Sequence, residues 1–112
     1  MNFMKNKILI EIENNRFYVH ELSYIRIHQS TDETSEVIFS IKAKIYANEA
    51  KEIIKQVKNG FVIYITENKN KTTQIIKFIK EQVIRSSYAD KNVSKNDITN
   101  TIDIWVKVKE EN

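Results

Sequence analysis

The chain has 112 residues, no cysteine, no proline, one glycine and a formal charge of +3, a size that suits one domain around one core. The missing cysteines exclude disulfides, thiolate metal sites and cysteine nucleophiles. The lone glycine excludes the phosphate-cradling loops, which need several positions where backbone approaches a ligand without a Cβ. The modest charge permits contact with nucleic acid or an acidic protein without implying either.

Taken in chain order, "MNFMKNKILIEIE" puts lysines before an apolar run, as a signal peptide does, but Glu11 cuts the run short. A first strand is therefore expected, with neither export nor membrane spanning. With no cysteine, a cytoplasmic location is expected. The abundance of Ile, Lys and Asn matches A/T-rich codon usage and points to a bacterial, phage or mobile-element origin.

Ile8, Ile10 and Ile12 alternate, the period-two mark of a half-buried strand. After "NNR" a longer strand begins, but its register is broken. Phe17 and Val19 share parity with Ile25 and Ile27, whereas Leu22 and Tyr24 fall opposite. A bulge is expected near Glu21–Ser23. Beyond a polar loop, Val37, Phe39, Ile41, Ala43 and Ile45 alternate as a third strand.

"NEAKEIIKQVKNG" predicts a helix. Asn48 is the expected N-cap, Glu49 suits the positive end of the dipole, and Ala50, Ile53, Ile54 and Val57 form an apolar stripe. Gly60 suits the left-handed C-terminal cap, and Lys51, Lys55 and Lys58 are left on a solvated face. "FVIYITE" predicts a strand inside the sheet. A second helix is expected from Thr72 or Thr73 to about Ser87, burying Ile75, Ile76, Phe78, Ile79 and Val83 and presenting a basic patch of Lys77, Lys80 and Arg85. A last strand carries Ile102, Ile104, Val106 and Val108 on one face. The expected fold is a single α+β domain over residues 1–112, in the order β-β-β-α-β-α-β, with two helices on one face of a largely antiparallel sheet.

Catalytic and metal chemistry find little support. His20 and His28, the only imidazoles, would lie roughly 26 Å apart on one continuous strand. Glu11 and Glu13 share a strand face expected to be wet, which raises no carboxyl toward a general acid's range. Asp32, Glu33 and Glu36 lack the spacing of a calcium loop. No catalytic residue, metal or cofactor is expected.

Two surfaces remain. The sheet face away from the helices should carry Trp105, Lys107 and Lys109 from the last strand, Lys42, Lys44 and Tyr46 from the third, and Tyr64. Aromatic rings among lysines fit a protein partner, and the basic patch is compatible with weak steering toward an acidic one. They also fit single-stranded RNA or DNA, whose bases stack on rings while phosphates meet lysines. A third account is an ordinary exposed sheet face stabilised by cross-strand neighbours. The expected function is a small non-enzymatic protein-binding module, such as an inhibitor, adaptor or assembly factor. A nucleic-acid binder is the alternative, and self-pairing through the last strand would give a homodimer.

Overall fold

The computed structural model describes residues 7–29, 36–68, 71–88 and 99–109, with side chains described for 7–27, 37–66, 74–88 and 100–108. Seven strands, β1 (Lys7–Ile12), β2 (Asn15–Gln29), β3 (Glu36–Tyr46), β4 (Gly60–Asn68), β5 (Lys71–Ile79), β6 (Val83–Tyr88) and β7 (Thr99–Lys109), form one sheet in the order β5-β4-β1-β2-β3-β7-β6. Every neighbouring pair is antiparallel. One helix, α1 (Ala47–Val57), joins β3 to β4.

The expected second helix is absent, so the two-helix layer and the order β-β-β-α-β-α-β are overturned. Residues 71–79 are strand, Lys80–Gln82 form one 3-10 turn, and Val83–Tyr88 are strand again. The apolar residues Ile75, Ile76, Ile79 and Val83 fit a helical stripe, but Gln74, Ile76 and Phe78 also alternate with Ile75, Lys77 and Ile79. Short apolar runs of this kind are ambiguous by period. Two demands decide for strand. The stretch is rich in β-branched residues, which favour pleated backbone. The exposed edges of β4 and β7 also need partners for their backbone amides and carbonyls, and β5 and β6 supply them.

The 3-10 turn also shapes the whole sheet. β5 and β6 are the two edges, six interstrand steps apart, which in a flat sheet would separate them by roughly 29 Å. The chain from Ile79 to Val83 reaches at most about 14 Å. The sheet must therefore curl until its edges approach each other. Gln82 fixes the corner: its side-chain oxygen accepts from the Ile79 amide (2.9 Å), and its side-chain amide donates to the Lys107 carbonyl of β7 (3.3 Å).

Helix α1 packs inside the curl, touching β1, β3, β4, β6 and β7. Ala50, Ile53 and Val57 are fully buried and join one apolar cluster with Ile10, Ile12, Val19, Ile45, Ile63, Ile102 and Ile104. The helix starts two residues earlier than its sequence suggests. Tyr46 occupies the N-cap without a side-chain hydrogen bond, so Asn48 does not cap. The stripe itself holds the helix, since burying each large aliphatic side chain contributes about 1.5–3 kcal/mol.

β2 serves both halves of the curl. Asn15 to Val19 pair with β1, and Val19 to Gln29 pair with β3, with a register shift between Val19 and Glu21. The bulge thus falls at His20, one residue before the expected stretch, and it reverses side-chain parity. Leu22 turns inward with Val19, while Ile25 and Ile27 turn outward, Ile25 remaining 59% exposed.

Gly60 has φ +102°, and a Cβ there would sit 2.9 Å from the Phe78 carbonyl oxygen and 3.3 Å from the Lys80 amide nitrogen. Glycine is required because both the backbone angle and the neighbouring strand refuse a side chain. Gly60→Ala is expected to destabilise the fold by about 1–3 kcal/mol, read as a lowered urea midpoint with an unchanged slope. A change of a few tenths would mean that the β4–β5 corner gives way.

Candidate functional site

The residues expected on the open face do not form one platform. Trp105 lies on the convex side, because its neighbours Ile104 and Val106 are fully buried against the core. Cross-strand pairing sets Ser40 beside it on β3 and Arg85 beside it on β6. The Arg85 guanidinium sits 3.6 Å from the indole centroid and covers one ring face. The Asp103 carboxylate bridges two partners, accepting from the buried Ser40 hydroxyl (2.6 Å) and from the indole N–H (3.2 Å). Trp105 is thus held from below and at its edge and is roofed by a cation.

Lys42 and Lys44 are exposed on the same convex side of β3, and Lys44 pairs with Glu21 at 3.1 Å. Tyr46 meets His20 edge-on at 4.6 Å, and His20 in turn meets Tyr18 at 5.2 Å. Lys107 is half-buried on β7, and the side chain of Lys109 lies outside those described. Tyr64 is also convex, but β1, β2 and β3 separate its strand from β7. It belongs to a different cluster, where its hydroxyl donates to Glu11 (3.4 Å) and Arg16 lies 5.5 Å from its ring. Arg16 also donates to Glu11 at 2.7 Å, and that hydrogen bond, then the carboxylate's charge, raises the guanidinium pKa still further.

The basic patch is likewise divided. Lys77 is on β5, Lys80 in the 3-10 turn and Arg85 on β6. Lys77 and Lys80 border a shallow recess that also contains Glu11 and Glu13, whereas Arg85 is committed to Trp105. These side chains shared a face only on the helix that does not form.

Among the described residues, no group of three or more His, Asp or Glu could hold a metal ion. The candidate cation loop at Asp32, Glu33 and Glu36 falls outside the described side chains, as does His28. No helix among the described residues is long and apolar enough to cross a membrane.

The feature that sequence reasoning missed lies on the concave side. At the end of the curl away from α1, a cleft of about 180 Å³ opens between the sheet halves. One wall is Leu22, Tyr24, Phe39, Ile41 and Val108, from β2, β3 and β7; the other is Ile63, Ile65, Gln74, Ile76 and Phe78, from β4 and β5. Its only side-chain polar atoms are the Tyr24 hydroxyl and the Gln74 amide. Tyr24 is 67% exposed at the rim and meets Phe39 edge-on at 6.0 Å. The Arg26 guanidinium also lies 6.0 Å from the Phe39 ring. The parity break at Leu22 and Tyr24 was the available signal. It states that these side chains change faces, but not that the facing wall comes from β4 and β5.

No protein-family model, curated protein or solved structure matches this chain.

Removing the Asp103 carboxylate leaves a buried hydroxyl and an indole N–H without their acceptor. Asp103→Ala is therefore expected to cost about 1–3 kcal/mol, with an altered Trp105 emission, measured by urea unfolding followed through that fluorescence. Asp103→Asn, which keeps one carbonyl acceptor, should lose less. Equal stability in both variants and the parent would show that the bridge contributes nothing.

Proposed function

We propose that this protein is a non-enzymatic binding module, acting in the manner of an inhibitor or adaptor, which takes an apolar side chain of a protein partner into the concave cleft. The observation that carries this reading is the cleft's apolar lining at about 180 Å³. Small-molecule sites commonly occupy roughly 300–1,000 Å³. An apolar cavity of about 150 Å³ accommodates one benzene-sized group. The size therefore favours one aromatic or branched side chain, the kind of anchor that dominates protein interfaces. The described lining residues are apolar apart from Tyr24 and Gln74, so they offer shape and apolar contact to a partner side chain.

The alternative of single-stranded nucleic acid loses support from the Trp105 environment. Base stacking needs an open ring face, and Arg85 covers one such face at 3.6 Å. The Asp103 carboxylate at the ring's edge would also repel phosphate.

Selection from a displayed library of random peptides tests the reading. Recovered peptides should share an aromatic or branched residue. Their binding should fall at least tenfold, on the order of the loss of one anchor, when Gln74→Trp fills the cleft. Gln74 is exposed at the rim, so the fold should survive, as far-ultraviolet circular dichroism would verify. Peptides that bind the filled variant equally well, or no recovered peptide at all, would overturn the assignment.

A further inference from the structure

The cleft adjoins an unused strand edge. β5 is hydrogen-bonded on one side only, to β4, and no described strand pairs with its other side. On the far wall, β6 pairs with β7 only as far as Val106, and beyond it the Gln82 side-chain amide donates to the Lys107 carbonyl (3.3 Å). Gln74 and Ile76 of β5 and Val108 of β7 all line the cleft, so its opening lies between the outer edge of β5 and the end of β7.

We infer that the partner enters as an extended segment that adds to the β5 edge as an eighth strand, with alternate apolar residues in the cleft and acidic residues on the convex side. This deepens the proposed function and rests on it. The pleat sets the alternation. Gln74, Ile76 and Phe78 point into the curl, whereas Ile75, Lys77 and Ile79 point out of it, with Ile75 and Ile79 at least half exposed. An added strand repeats that pattern beside them, so its inward residues continue the cleft and its outward residues stand next to Lys77.

Charge selects the occupant. Among the described side chains of β5 and the turn, Lys77 and Lys80 outweigh Glu81. Glu11 and Glu13 border the same recess as Lys77 and Lys80. Glu11, however, lies two strands further in from Lys77, through Val62, and is already paired with Arg16, so Lys77 is the charge beside which an added strand would lie. A second copy of this chain is the poorer occupant, because its β5 edge presents Lys77 and Lys80 where the added strand needs carboxylates. An acidic segment gains where a like-charged edge does not.

The test uses the whole chain and a defined probe: a seven-residue peptide, acetylated and amidated, with Glu at odd positions and Ile, Phe and Ile at even ones. Alternate residues of a strand point their amides to opposite edges. Two N-methylated versions, one modified at odd and one at even positions, therefore differ in which edge they block. The parent peptide should bind in calorimetry or by fluorescence anisotropy. One methylated version should lose on the order of tenfold or more while the other stays within about threefold, since only one set of amides faces β5. Replacing every Glu with Lys should weaken binding by a similar factor. Equal binding of both methylated versions overturns strand addition but leaves the cleft as a side-chain receptor. No binding of the parent peptide at about 1 mM also overturns strand addition, and the library selection with Gln74→Trp then reports separately on the cleft. Dimerisation of the protein at micromolar concentration that excludes the parent peptide would assign the edge to a second copy instead and overturn the proposal.

Discussion

The fold depends on the reach of four peptide units. A chain that must pass from one edge of a seven-stranded sheet to the other through Lys80–Gln82 cannot leave that sheet open, because flat spacing exceeds the available span by a factor of about two. Curling turns one face into an interior. It gives the single helix a concave seat, where Ala50, Ile53 and Val57 are fully buried, and it brings β4 and β5 opposite β2, β3 and β7. The helix is only three turns long and fills one end of that interior. The other end receives side chains from both walls but no covering element among the described residues, and there the cleft forms. Corner, plug and cleft are three results of one short connection.

The two sides of the sheet consequently differ in kind. On the convex side, charges and rings satisfy each other locally: Asp103 with Ser40 and Trp105, Arg85 with the indole, Arg16 with Glu11 and Tyr64, Lys44 with Glu21. Such pairs stabilise an exposed sheet by modest amounts each and use up the groups that a partner would need. Apolar surface remains uncovered at Ile25, Ile75 and Ile79 on the convex side and at Tyr24 and the cleft rim on the concave side. Only the latter lies in an apolar cleft between two walls. Uncovered apolar surface beside free backbone calls for a partner more strongly than satisfied charge does. The aromatic and basic residues that stand out in the sequence are thus mostly engaged within the molecule, and the plainer aliphatic ones line the available site.

Legibility followed locality. β1, β3, β4 and β7 could be read because their alternation is local and regular, and the same parity places Trp105 on the face opposite Ile102, Ile104 and Val106. The stripe of α1 was readable for the same reason, although its cap was not, since Tyr46 ends β3 and enters the helix without a side-chain bond. Ile75, Ile76, Ile79 and Val83 satisfied two periods at once, and the choice between them was made by the unpaired edges of β4 and β7. That information lies in other parts of the chain. The cleft needed more still: a strand order, a curl and a parity reversal at His20. Only the last left a local trace, in the positions of Leu22 and Tyr24.

Strand order also sets a schedule for acquiring this structure. β7 is the last of the described strands in sequence but sits between β3 and β6, and β6 has no other described strand neighbour. At about 5–20 residues per second, a ribosome needs roughly 1–4 s to extend the chain from the end of β6 to the end of β7. Throughout that interval the long edge of β3 stands without its final neighbour, a surface on which other nascent chains can pair. Lys42 and Lys44 project from that edge strand on its exposed face. Positive charge at such positions discourages intermolecular pairing until β7 arrives.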